Sequence, residues 1–179
     1  DWFYTAVYTL YETGMMDGVD ETHFAPQVLL TRGMAVTILH RLEDSPAAEG
    51  ASFPDVAAGE YYTDGVAWAS ANGVVVGCDD GGYHPDDPVT REQMALILYR
   101  YAQFKGYAWE APAALDAFED ADEVSGYAAE AVGWAVANEL MEGVGGDRLA
   151  PTATATRAEI AALLSRFLSR AYVPETAEK

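Results

Sequence analysis

Arginine recurs in this sequence in two fixed columns. Arg32, Arg91 and Arg157 each follow a threonine directly, and Arg41, Arg100 and Arg166 stand nine residues after them. A guanidinium presents five N–H donors in a rigid fork, so its natural chemistry is recognition of a carboxylate, a phosphate or a similar anion. The 179 residues hold ten Lys plus Arg against 29 Asp plus Glu, a net charge of -19, so six of the ten cations lie in these two columns. That balance argues against a nucleic-acid partner, which would need clustered basic residues to neutralise phosphates.

Other reactive residue types are poorer candidates. The stretch GCDDGGYHPDDP is rich in carboxylates but misses the calcium-loop spacing D-x-[DN]-x-[DN]-G, and it reads as a solvated turn. His23, His40 and His84 share no repeated metal spacing. Cys78, the one cysteine, offers no second thiolate and reads as a small packed side chain, so no metal and no cofactor are expected. No Ser-His-Asp order and no Gly-rich phosphate loop can be argued, and the chain is not read as an enzyme. No apolar run reaches the roughly 18 to 20 residues of a membrane span.

The elements that position the arginines are themselves repeated. Thirteen residues before each Thr of the Thr-Arg pair stands a glycine, Gly18, Gly77 or Gly143; six residues later comes Phe24, Tyr83 or Leu149, and two further Pro26, Pro85 or Pro151. Upstream, the segments align without gaps on Val7, Val66 and Val132, each with an aromatic five residues earlier: Trp2, Tyr61 and Tyr127. Repeats two and three add FPDV at 53–56 and FEDA at 118–121, which repeat one lacks. Self-similarity of this kind means stacked supersecondary units that share a core. Each unit reads as helix, loop, helix. Ile160, Leu163, Leu164, Phe167 and Leu168 mark one helical face, as do Met94, Ile97, Leu98 and Tyr101, and Ala35, Ile38, Leu39 and Leu42. The fold expected is all-α, in three units bounded at 1–44, 45–110 and 111–173 with a tail at 174–179, and with 43–50 and 105–114 as connectors.

Thr90 and Thr156 suit helix N-caps, with Gln93 and Glu159 three residues on completing a capping box. The arginines that follow then fall at the first helical position, where the macrodipole disfavours a cation by roughly 0.3 to 1 kcal/mol. Something negative must offset this. One candidate is an internal carboxylate, Asp55 or Asp120; the other is an anionic ligand held by the guanidinium and the free N–H groups of a helix N-terminus. Arg41, Arg100 and Arg166 lie near helix C-termini, where the dipole favours them.

Taken in order and spacing, FPDV, the aromatic, GVAWA and AVGWA, the glycine, Y-x-P and the tetrads TRAE (156–159), TREQ (90–93) and TRGM (31–34) resemble the S-layer homology repeat, in three copies covering nearly the whole chain. The resemblance implies three repeats about a pseudo-threefold axis in a mainly helical, three-pronged module. It further implies non-covalent anchoring of an exported bacterial protein, at the cell surface, to an anionic secondary cell-wall polysaccharide, often pyruvylated. By motif position the ligand-binding residues would be Arg32, Arg91 and Arg157 in grooves between repeats. Trp68 and Trp134 would offer a sugar an aromatic face or else pack between helices. Gly18, Gly77 and Gly143 would admit the ligand to the backbone or simply allow a turn. Asp55, Asp120, Thr90 and Thr156 are read as structural. Repeat one departs from the pattern with Thr9 in place of tryptophan and Met34 in place of the capping-box acid, and Glu139 stands where repeat two has Gly73, so the grooves are expected to be unequal. An assembly module that self-associates in a surface layer is the alternative.

Overall fold

The apolar spacings become six helices: α1 (Tyr4–Glu12), α2 (Arg32–Leu42), α3 (Thr63–Ala71), α4 (Arg91–Lys105), α5 (Ala129–Ala137) and α6 (Arg157–Ala171), with one 3-10 turn at Ala121–Glu123. The computed structural model describes residues 2–20, 22–49 and 53–171; the tail expected at 174–179 and the end of the third unit at 172–173 lie outside them. Among the described residues there is no strand, and the fold is all-α as expected. The helical faces read from the sequence are core: Ile160, Leu164 and Phe167 are buried, as are Met94, Leu98 and Tyr101. Leu42 and Leu168 pack against this core while partly exposed.

The helices do not pair within a repeat. α3 packs on α2, α5 on α4, and α1 on α6, so the first helix of each unit lies against the second helix of the unit before it, with the first unit closing on the third. The segments that lead into the Thr-Arg pairs are tied in the same cyclic order. The Leu30 N–H donates to Ala155 O (3.0 Å), the Ala155 N–H to Val89 O (3.0 Å), and the Val89 N–H to Leu30 O (2.9 Å). All three residues are fully buried, so each bond satisfies a backbone pair that water cannot reach.

The segment 105–114, expected to be a connector, leads from α4 towards the third unit and lays Tyr107 and Trp109, both partly exposed, against the core. Trp109 stacks on Trp134 with ring centroids 5.3 Å apart and meets Phe167 at 4.8 Å. Asn138 exchanges two 3.1 Å bonds with the Glu110 backbone, which fixes the segment on the end of α5.

Candidate functional site

The three helix N-termini that carry the arginines begin as their sequences dictate. Thr31 and Thr90 accept from the N–H three residues on, and Thr90 with Gln93 completes the capping box, as does Thr156 with Glu159. The first two N–H groups of each helix are also taken. Those of Arg32 and Gly33 donate to Asp87 O and Pro85 O, those of Arg91 and Glu92 to Ala153 O and Pro151 O, and those of Arg157 and Ala158 to Val28 O and Pro26 O, at 2.7–2.9 Å. The conserved spacing from proline to Thr-Arg is therefore a contact between repeats, with the proline carbonyl of one unit capping the helix of its neighbour. No free N–H groups remain at these ends to hold an anion, which corrects that part of the sequence reading.

The guanidinium groups make equivalent contacts in the same cyclic sense. Arg32 Nε donates to Tyr83 O (2.8 Å), Arg91 Nε to Leu149 O (2.8 Å) and Arg157 Nε to Phe24 O (3.0 Å). Arg32 and Arg157 also lie over the Tyr83 and Phe24 rings, 4.7 and 4.5 Å from their centroids. The offset for the positive charge is thus a neighbouring loop's carbonyls, which neither sequence alternative named. The carboxylates act one step removed. Asp55 accepts from Tyr83 N–H (2.9 Å) and His84 N–H (2.7 Å), and Asp120 from Leu149 N–H (2.7 Å) and Ala150 N–H (2.8 Å), so carboxylate and guanidinium grip the two ends of the same residue. The bond from Tyr83 N–H holds the Asp55 carboxyl below its ordinary range. Burial pushes Asp120 up, but the two backbone bonds prevail and its pKa is lowered as well. Burial pulls Arg91 and Arg157 below the usual guanidinium value, and Arg157 is only 5% exposed.

Three grooves result, each lined by all three repeats. One holds Arg157 from repeat three, Gly18 and Arg41 from repeat one and Tyr61 from repeat two. The second holds Arg32, Gly77 and Arg100, and Tyr127; the third holds Arg91, Gly143 and Arg166, and Trp2. The second arginine column, which the helix dipole alone seemed to explain, therefore faces the same grooves as the first. The aromatic walls are Trp2, Tyr61 and Tyr127, exposed by 70, 54 and 57%. Trp68 and Trp134 are 3 and 4% exposed and pack against Phe104 and Trp109 respectively, so they offer no face to a ligand; this corrects their assignment as binding residues. The glycines line the grooves because the loop leaves no room for a side chain: a Cβ on Gly18 would come within 2.6 Å of Asp20 O, and one on Gly143 within 2.3 Å of Gly146 O.

The grooves are unequal for a reason visible in one column. Just before the glycine, repeats one and three carry Asp17 and Glu142, which pair with Arg41 at 2.6 Å and Arg166 at 2.8 Å. Repeat two carries Val76, 57% exposed, and among the described residues Arg100 has no acidic partner. The backbone carbonyls of Asp17 and Glu142 also accept from Nη2 of Arg157 and Arg91, whereas Arg32 Nη2 meets only the Cys78 sulfur at 3.8 Å. The middle groove encloses about 470 Å³, and its one lining acid, Asp79, pairs with neither arginine. Cys78, read as packed, is exposed, and its sulfur lies near donor atoms of Asp80 and His84, a grouping that sequence spacing did not reveal.

The S-layer homology domain model matches residues 1–35, 52–95 and 117–161. The Surface-layer 125 kDa protein of Lysinibacillus sphaericus is 30% identical over 91% of this chain and 14% of its own length. The S-layer protein sap of Bacillus anthracis is 29% identical over 92% of the chain and 20% of its own length, and the exoglucanase XynX of Acetivibrio thermocellus 28% identical over 95% and 16%. The chain thus spans a fifth or less of the length of these relatives.

Proposed function

This chain belongs to the S-layer homology domain family, whose members serve as cell-wall anchoring modules, and on that premise we propose that it binds an anionic wall polysaccharide through the groove of Arg32 and Arg100. The observation that carries this reading is a groove with two guanidinium groups and no acid paired to either, walled by the exposed ring of Tyr127. A pyruvylated sugar matches that chemistry: its ketal carboxylate takes charge-assisted hydrogen bonds, worth about 1.5 to 3 kcal/mol each, and its ring lies on an aromatic face. Neutralised grooves on either side would add weaker contacts along the same polymer. The cyclic hydrogen bonds and helix pairing support a pseudo-threefold, three-pronged arrangement. In this reading the chain is a binding module at the bacterial cell surface, and any catalysis belongs to other parts of a parent protein.

Sedimentation with Gram-positive wall sacculi tests the proposal, before and after extraction of the secondary polymer. Wild type should co-sediment with intact walls only, and the Arg100→Ala variant, which leaves the Arg32 bond to Tyr83 O in place, should lose retention while keeping its helical circular dichroism. Equal binding to extracted walls, or full retention of the variant, would refute it. The assembly alternative draws on the exposed rings of Tyr4, Tyr8 and Tyr11 along α1, and it requires association without sugar in sedimentation equilibrium.

A further inference from the structure

Repeat two differs from its neighbours at three loop positions that are otherwise unrelated. Where repeats one and three have Val19 and Val144, it has Cys78; where they have Glu21 and Gly146, it has Asp80; where they have Ala25 and Ala150, it has His84. The donor atoms of these three residues lie within 4.8 Å of one another. We propose that they form a binding site for a borderline-soft divalent metal ion, zinc being the best match, at the rim of the middle groove.

The donor set selects the metal class. One thiolate, one imidazole and one carboxylate suit Zn²⁺ and its analogue Co²⁺, whereas Ca²⁺ and Mg²⁺ require an oxygen cage. Metal–ligand bonds of about 2.0 to 2.3 Å place the donors of a tetrahedral ion roughly 3.6 Å apart. Closing from 4.8 Å is within the reach of side-chain rotation on a surface loop, and His84 Nε2 already meets Asp80 Oδ2 at 2.8 Å. The backbone is fixed beforehand. Cys78 N–H donates to Gly82 O (2.7 Å), Gly81 N–H to Cys78 O (2.8 Å), and Gly82 N–H to Asp80 Oδ1 (3.0 Å). His84 holds a left-handed backbone, φ 55°, that Ala25 and Ala150 share at φ 52° and 48°, so its side chain projects from a position the fold uses in every repeat. Its other nitrogen, Nδ1, lies 3.6 Å from Asp55 Oδ2, and a small approach would give the carboxylate–histidine–metal relay that sets imidazole orientation. Arg32 keeps its Nε bond to Tyr83 O if Nη2 releases the sulfur. Three protein donors leave one coordination position open to water or to an anion in the groove.

The other repeats supply the control substitutions. The reduced 179-residue chain is titrated with Zn²⁺ by calorimetry in excess Ca²⁺ and Mg²⁺, and with Co²⁺ by absorption, for wild type, Cys78→Val and His84→Ala. One equivalent of Zn²⁺ should bind despite the excess, Co²⁺ should give a thiolate charge-transfer band, and each variant should weaken Zn²⁺ binding by more than tenfold and alter the band, with circular dichroism unchanged. Absence of stoichiometric Zn²⁺ binding, a Co²⁺ complex without the band, or binding that persists unchanged in both variants, as for adventitious carboxylate association, would each overturn the proposal.

Discussion

Restoring the missing acid of repeat two should close the middle groove. Val76 stands in the column of Asp17 and Glu142, whose carboxylates reach the second-column arginines at 2.6 and 2.8 Å. A Val76→Glu change places a carboxylate where it can take Arg100 in the same way. As an exposed pair it adds only about 0 to 1 kcal/mol of stability, so the melting temperature should stay within a few degrees of wild type. The ligand loses more. It forfeits a charge-assisted bond worth about 1.5 to 3 kcal/mol, and at about 4 Å it meets a like charge that costs about 1 kcal/mol at the dielectric of water. The total of about 2.5 to 4 kcal/mol corresponds to a loss of roughly 60-fold to several hundred-fold in affinity. Extracted wall polymer titrated against both proteins by calorimetry at one fixed salt concentration reads this directly. The reciprocal Glu142→Val change frees Arg166 in the third groove, where Glu159 still lies, so a gain of no more than about tenfold is expected. Val76→Glu binding within twofold of wild type would refute the assignment of Arg100 as an anion reader.

Two further outcomes follow from the geometry. Trp134→Ala removes a 4% exposed ring stacked on Trp109 and should cost about 3 to 5 kcal/mol in denaturant unfolding while leaving polymer affinity unchanged below the melting transition; a change in affinity without a change in stability would return Trp134 to the site. Asp55 and Asp120 have folded pKa values below their unfolded ones, so their stabilisation is present above about pH 4 and is lost as the pH falls through the folded values. Asp120→Asn should therefore be less stable than wild type at neutral pH and lose less stability on acidification between about pH 5 and pH 2, and parallel acid profiles for the two proteins would contradict that role.

Much of this was readable without coordinates. The i, i+3, i+4 spacing located the second helix of every unit, and the repeat columns located Thr90 and Thr156 as caps with their boxes closed. Pairing was not readable, because alignment shows which units are alike but not which neighbour covers an apolar face. The acceptors of the arginines were equally hidden: Tyr83 O, Leu149 O and Phe24 O are backbone atoms, and no residue type advertises a carbonyl. For the aromatics the signal existed but pointed elsewhere. Trp68 and Trp134 lie inside helices that pack on a neighbour, whereas Tyr61 and Tyr127 precede their helices and stay exposed. The contrast of Val76 with Asp17 and Glu142 was also present in the sequence, in a column that attention to shared residues passes over.

The two arginine columns divide their tasks according to what else each can reach. A first-column guanidinium is committed through Nε to the next repeat's loop, and with the cyclic hydrogen bonds at Leu30, Val89 and Ala155 it locks the three units together. Removing Arg157, itself 5% exposed, would strip the carbonyls of Phe24 and Asp17 of their donor and leave a gap between repeats, so loss of wall binding in such a variant would report unfolding as readily as a lost ligand contact. The second column carries no such duty: Arg41 and Arg166 spend their charge on surface acids, and Arg100 does not. In a chain of net charge -19 with no long-range pull on an acidic polymer, a guanidinium without an acidic partner beside a second whose Nη2 meets only a sulfur is where local attraction can exceed general repulsion. The repeat that carries Val76 in place of an acid also carries Cys78, Asp80 and His84 at the rim of that groove, so under the proposed reading both departures from the repeat pattern favour an anion, directly or through a metal, at the groove whose arginines have no acidic partner among the described residues.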